Sequence, residues 1–265
     1  MILSSLQFRP RFALSPADVK DNFRKCEELF HTASKMGSEF IVCPELFLTG
    51  YSFLDKDQAA RVCERSDGPT FRTIRGVAQD LKAYISWGYV EFGSDGALYN
   101  AASLVDPNGI LLTSYRKVNL FAQDFFWAKS GIASAPTVKT DFGYTSIIVC
   151  RDLRNKVPSM PRTAAEKDTP LFSSEKLDLV AASVNWGKGG FPPNTWMDFV
   201  ADTGCTLIVA DRWGKEKGTS EHGSLETNFG QGKSCIISKE WKIHIDGLKF
   251  DSDCLVTAVI DGRNK

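Results

Sequence analysis

Tyr144-Thr145-Ser146-Ile147-Ile148-Val149-Cys150-Arg151-Asp152-Leu153-Arg154 is a largely apolar run that turns polar at a cysteine. It reads as a strand carrying a thiol to the edge of a sheet, where strand ends and loops build active sites. Alone, such a cysteine is more often a small core residue. Two companions upstream change its weight. Phe40-Ile41-Val42-Cys43 is a second apolar strand and runs into Pro44-Glu45-Leu46. Tyr115-Arg116-Lys117 ends a third. A base, a cation and a thiol at three strand ends make an activated nucleophile with charge stabilisation.

The flanking sequence alternates helices and strands. Residues 15–37 predict a helix: Ser15 caps, Pro16 suits the first helical position, and Val19, Phe23, Cys26, Phe30 and Ala33 share a face. Gly37 ends it in the left-handed conformation. Residues 69–83 repeat the pattern with Phe71, Ile74, Ala78 and Leu81. Strands are expected over Ile85–Phe92, Leu98–Val105 and Ile110–Tyr115, the last two joined by the turn Asp106-Pro107-Asn108-Gly109. Later strands are expected over Leu179–Val184, Thr206–Ala210, Ser234–Ile237 and Leu255–Ile260, with a helix near Thr195–Asp202. The polar stretch from Lys156 to Lys176, with its prolines, reads as a surface loop. The pattern predicts mixed sheets covered by helices in one α/β domain spanning residues 1–265.

Composition narrows the function classes. Lys and Arg together number 32, equal to Asp and Glu at 32, so no global field favours nucleic acid or an anionic membrane. No apolar stretch approaches the roughly 20 residues that span a bilayer. The start, Met1-Ile2-Leu3-Ser4-Ser5-Leu6, reads as a first strand rather than a signal peptide. Seven widely spaced cysteines without a C-x-x-C pair point to reduced thiols and a cytoplasmic location. Three scattered histidines suggest no metal site, and no cofactor is expected. Gly187-Lys188-Gly189-Gly190 lacks the Walker spacing of a phosphate loop.

Three blocks together resemble the signatures of the carbon–nitrogen hydrolase (nitrilase) superfamily: Pro44-Glu45-Leu46-Phe47-Leu48-Thr49-Gly50-Tyr51, Tyr115-Arg116-Lys117, and Val149-Cys150-Arg151-Asp152-Leu153-Arg154. Leu98-Tyr99-Asn100-Ala101, Ser183-Val184-Asn185-Trp186, Asp211-Arg212-Trp213-Gly214 and Phe229-Gly230-Gln231-Gly232-Lys233-Ser234 fit its supporting blocks. The resemblance implies a four-layer α-β-β-α sandwich, commonly paired across a two-fold axis, hence a homodimer or higher homo-oligomer. It implies Glu45 as general base, Lys117 as the cation facing the oxyanion and Cys150 as nucleophile. Arg151 would add its backbone N–H to the oxyanion site.

Departures from the pattern are informative. The family's second glutamate precedes an aromatic-rich segment ending in glycine. Here Asp124 stands there, ahead of Phe125-Phe126-Trp127 and Gly131, as a supporting residue one methylene shorter. Cys-Arg-Asp is closer to the amidase and carbamoylase branches than the Trp-Glu of nitrilases proper. Asn155-Lys156-Val157-Pro158 replaces the usual Pro-Glu. Tyr51, Phe126, Asn185 and Trp186 are candidate substrate contacts; Tyr51, Phe126 and Trp186 are equally suited to core positions. The expected activity is hydrolysis of a small non-peptide amide or carbamoyl compound through a Cys thioester. A nitrilase, a glutaminase-like ammonia supplier and a catalytically impaired binding relative are the alternatives.

Overall fold

The computed structural model describes residues 1–132, 134–154, 172, 176–187, 189–220, 223–227 and 230–260. Two six-stranded mixed sheets lie face to face. The first contains β1 (Ile2–Gln7), β2 (Phe40–Val42), β3 (Tyr84–Phe92), β4 (Leu98–Val105), β5 (Leu111–Arg116) and β14 (Cys254–Val259), in the order β14-β1-β2-β3-β4-β5. The second contains β6 (Thr137–Thr140), β7 (Gly143–Val149), β8 (Leu179–Val184), β9 (Thr206–Asp211), β12 (Cys235–Ile237) and β13 (Ile243–His244), in the order β13-β12-β9-β8-β7-β6. In each sheet three parallel strands form the middle and antiparallel strands close the sides.

Alternation along β2 separates the layers. Phe40 and Val42 join the cluster between the sheets, whereas Ile41 and Cys43 join the one beneath the helices. That outer cluster receives α1 (Pro16–Lys35) through Cys26, Phe30 and Ala33, and α3 (Pro69–Leu81) through Ile74 and Ala78. Burying a Phe-sized side chain contributes about 1.5–3 kcal/mol, so such a stripe holds a helix more firmly than propensity does. On the far side, α5 (Asn194–Thr203) sets Trp196, Phe199 and Val200 against the second sheet. The result is the expected four-layer α-β-β-α sandwich. The end signals of α1 hold: Ser15 Oγ accepts from the Asp18 N–H, and Gly37 sits at φ +69°.

Several elements go beyond the sequence reading. α2 (Lys56–Ala60) and α4 (Asp124–Trp127) pack at one end of the first sheet. A separate hairpin of β10 (Glu216–Ser220) and β11 (Gly223–Thr227) lies over the chain near Ser52. The stretch from Lys156 to Lys176 falls, apart from Phe172 and Lys176, outside the described residues. Among the described residues, no helix is long and apolar enough to cross a membrane, and all seven cysteines are free.

The packing brings strand ends together. Ser183 Oγ donates to the Cys43 carbonyl at 2.8 Å, and the Glu45 N–H points at the Val184 carbonyl at 3.4 Å. The carboxyl ends of β2 and β8 thus meet across the two sheets, where open α/β sheets build their sites.

Candidate active site

β7 delivers Cys150, the first residue of a 3₁₀ turn over Cys150–Leu153. Its φ is +44°, in the left-handed region that costs an L-residue roughly 1–2 kcal/mol. Leu46, beside Glu45, has φ +48°, and Ala122, two residues before Asp124, has φ +49°. Strained backbone at three of the site's segments is a recurring feature of functional clusters.

Lys117 is the hub. It follows β5, is fully buried, and its N–H is held by the Asn100 carbonyl at 2.8 Å. Its Nζ donates to Glu45 Oε1 at 2.7 Å and to Asp124 Oδ2 at 2.7 Å. Asn100 Nδ2 bridges the same carboxylates, at 2.7 Å from Glu45 Oε1 and 3.0 Å from Asp124 Oδ1. The Phe121 N–H donates to Asp124 Oδ2 at 3.0 Å. Asp124 therefore sits inside the charged network.

These contacts set the protonation tendencies. Burial opposes the Lys117 charge, yet Asp124 and Glu45 outweigh it and hold its pKa well above the ordinary ammonium value. Burial raises Glu45, with Lys117 pulling back. Burial also raises the Cys150 thiol well above its usual value, and the Glu45 charge adds to the rise. The thiol is thus protonated at rest beside a carboxylate of enhanced basicity. Glu45 Oε2 is buried and has no hydrogen-bond partner among the described residues, so one lone-pair site remains open for a proton.

The remaining candidates divide. Arg151, Asn185 and Trp186 line a cavity of about 490 Å³ with Cys150. The Asn185 carbonyl accepts a long thiol contact of 3.9 Å from Cys150 Sγ. Tyr51 is buried behind the site rather than on the cavity wall: its OH donates to the Phe121 carbonyl at 2.5 Å, and its ring centroid lies 5.7 Å from Lys117 Nζ. Phe126, on α4, does not line the cavity and is 54% exposed.

Other residues matter that had no assigned role. Asn100 is one. Asp152 is another: its carboxylate accepts from Tyr115 OH at 2.8 Å and from the Val118 and Asn119 N–H groups at 3.2 and 2.8 Å. Asp211 holds the Trp186 N–H at 2.8 Å and the Lys233 N–H at 3.0 Å, fixing a cavity wall. Glu216 accepts from the Tyr51 and Ser52 N–H groups at 2.6 and 2.7 Å and pairs with Arg212, tying the hairpin to the site. Asn100, Asp152 and Asp211 all lie within recognisable motif blocks. Being polar inside apolar surroundings was their signal. Glu216 offered none, because the Tyr51 and Ser52 N–H groups that it holds lie more than 160 residues away.

Comparison with known proteins adds independent findings. The carbon-nitrogen hydrolase family model matches residues 3–261. A nitrilase of Pyrococcus abyssi is 30% identical over 198 residues, which cover 74% of this chain and 71% of that protein. A protein N-terminal amidase of Schizosaccharomyces pombe is 25% identical over 273 residues, covering 89% and 91% respectively. The solved structure of a variant amidase from Nesterenkonia sp. AN1 aligns with a TM-score of 0.72 over 98% of this chain and 93% of that chain. At 20% identity that likeness concerns the fold. In that amidase, acrylamide has added to the active-site cysteine.

Proposed function

Because the chain belongs to the carbon–nitrogen hydrolase family, we propose that it hydrolyses a small non-peptide amide through a thioester on Cys150, releasing ammonia or an amine. One observation carries this reading: the buried Glu45 carboxylate spends Oε1 on Lys117 and Asn100 while Oε2 has no hydrogen-bond partner among the described residues, and the Glu45 charge acts directly on the Cys150 thiol.

The chemistry follows from that arrangement. Glu45 takes the thiol proton as Sγ attacks the carbonyl carbon. Negative charge develops on the carbonyl oxygen, and we assign Lys117 Nζ and the Arg151 backbone N–H to receive it. Glu45 returns the proton to the nitrogen, the C–N bond breaks, and the amine leaves. Water then gives a proton to Glu45 and attacks the thioester. The C–S bond breaks, the acid departs, and the thiol recovers its proton. The short Asp124 carboxylate keeps Lys117 charged and aimed throughout. The Cys150-Arg151-Asp152 block, closer to the amidase and carbamoylase branches than the Trp-Glu of nitrilases proper, favours an amide over a nitrile. We further propose a homodimer, from the family's habit of two-fold pairing; sedimentation measures it.

The test is intact-protein mass spectrometry after incubation with a panel of small amides and nitriles, alongside ammonia release. The expected result is an acyl adduct and ammonia in the wild type and neither in Cys150→Ala. Turnover that survives in Cys150→Ala removes the nucleophile assignment. Turnover of nitriles alone replaces the amidase with a nitrilase.

A further inference from the structure

Asn100 stands at the centre of the buried charges. It lies in β4 opposite Val90 of β3 and is fully buried. Its carbonyl holds the Lys117 N–H at 2.8 Å, and its Nδ2 donates to Glu45 Oε1 at 2.7 Å and to Asp124 Oδ1 at 3.0 Å. One residue thus fixes the Lys117 backbone and both acceptors of the Lys117 ammonium. Ionised carboxylates only accept, so the amide must turn its NH₂ toward them. That orientation leaves Asn100 Oδ1 buried with no hydrogen-bond partner among the described residues. A buried acceptor without a partner destabilises the fold, and such an exception in a native interior calls for an explanation.

The balance of charge supplies one. Glu45 and Asp124 face a single ammonium, and all three side chains are fully buried. Two carboxylates at one site raise each other's proton affinity until one of them takes up a proton. A second cation would prevent that but would also strip Glu45 of basicity. A neutral amide donating two N–H groups stabilises both anions and adds no charge. It also engages Glu45 Oε1, which Lys117 shares, while Oε2 accepts from no described residue. The other titratable groups acting on Glu45 are Tyr51, in the segment after it, and Cys150, in the turn after β7. Burial raises both well above their ordinary values and keeps them neutral.

We propose that Asn100 is a positioning residue: it keeps Glu45 and Asp124 both ionised around one ammonium and reserves Glu45 Oε2 for the thiol proton. The role rests on Glu45 being the base of the proposed hydrolase.

Alkylation of Cys150 by iodoacetamide tests this without a natural substrate. Its rate is followed against pH by peptide mass spectrometry, which separates Cys150 from the half-buried Cys63. In the wild type the rate should climb through an acid limb set by Glu45 and then level. In Asn100→Ala the limb should lie about one pH unit higher, the scale of one lost charge-assisted hydrogen bond. Alkylation should then be about tenfold slower below the limb and unchanged above it. Asn100→Asp keeps the shape, replaces the donor by a third carboxyl group, and should move the limb at least as far. Adding Asp124→Asn to Asn100→Ala should bring the limb back toward the wild type, because the Asp124 charge is among the causes that raise Glu45. Lost packing alone would lower the rate by one factor at every pH, and that result overturns the proposal. A wild-type limb in Asn100→Asp, folded by circular dichroism, overturns it too, even where Asn100→Ala fails to fold. A wild-type profile in Glu45→Gln removes the base, and the hydrolase mechanism and this role with it. A limb that Glu45→Gln abolishes but neither Asn100 variant moves sinks this role and spares the hydrolase.

Discussion

Asp152 Oδ1 accepts two hydrogen bonds from Asn119, one from its backbone N–H at 2.8 Å and one from Nδ2 at 2.7 Å. The first residue stands two positions after the nucleophile, the second two after the cation. This clamp joins the turn carrying Cys150 to the segment carrying Lys117. The distance between sulfur and ammonium is thereby set by a buried carboxylate that belongs to neither.

Asp152→Ala should therefore uncouple the two segments. It removes the buried carboxylate that accepts from the Val118 and Asn119 N–H groups and from Tyr115 OH, and losing one partner of a buried hydrogen bond costs about 1–3 kcal/mol. Turnover should fall by about 10²-fold through lost positioning. Chemical denaturation and steady-state kinetics measure both, and a variant as stable and as active as the wild type would discard the clamp.

Lys117 should matter for folding as well as chemistry. Lys117→Ala places two buried carboxylates together with no cation between them, and breaking a buried pair costs about 3–5 kcal/mol. Adding Asp124→Asn should restore part of that stability and none of the activity. A Lys117→Ala protein that unfolds at the wild-type denaturant midpoint would contradict the structure.

Asp124 tests whether the shorter acid serves the cation. Removing it in Asp124→Ala should lower kcat by about 10²-fold, the scale of one lost oxyanion contributor. Asp124→Glu should keep more activity than Asp124→Ala because it keeps the charge. If the alanine variant turns over at the wild-type rate, Asp124 has no part in the reaction.

Gly88 supports Glu45 from beneath. A Cβ there would stand 2.8 Å from the Leu46 nitrogen and 2.9 Å from Glu45 Cα, both backbone atoms. Gly88→Ala should cost about 1–3 kcal/mol through overpacking and displace the general base. The readouts are the unfolding midpoint and kcat. Unchanged values in both would show that the strand end tolerates movement.

Asp211 makes stability depend on pH. Burial raises its pKa from 3.8 to about 7, against the backbone N–H groups of Trp186 and Lys233, which lower it. The folded chain retains a proton that the unfolded chain releases above about pH 4. This contribution to stability is complete at low pH, declines as pH rises and levels off above about pH 7. From about pH 5 to about pH 8 the wild type should lose about 2–3 kcal/mol more than Asp211→Asn. Equal pH slopes in denaturant titrations of the two proteins would refute it.

Long periodic elements were legible in advance. α1 was expected over 15–37 and spans Pro16–Lys35, and β3 and β4 fall within a residue of expectation. Cap chemistry and apolar periodicity are local, so a linear reading captures them. β13 has two residues and α4 four, too few for a period to register. The hairpin β10–β11 is polar and mostly exposed; its position follows from Glu216 and Thr227 reaching Ser52.

Sequence alone determined the alternation of strands and helices, and that Glu45, Lys117 and Cys150 each follow a strand. Both are consequences of hydrophobic pattern and chain order. Tertiary structure decided which polar groups face one another: Asn100 between two carboxylates, Asp152 across from Asn119, Tyr51 behind the site and Phe126 outside it. The physical reason is range. Apolar burial is non-directional and can be read from periodicity, whereas a hydrogen bond needs its donor and acceptor within about 3 Å in a fixed orientation. Residues 34 or 72 positions apart, such as Asp152 with Val118 and Glu45 with Lys117, meet on those terms only once both sheets have packed.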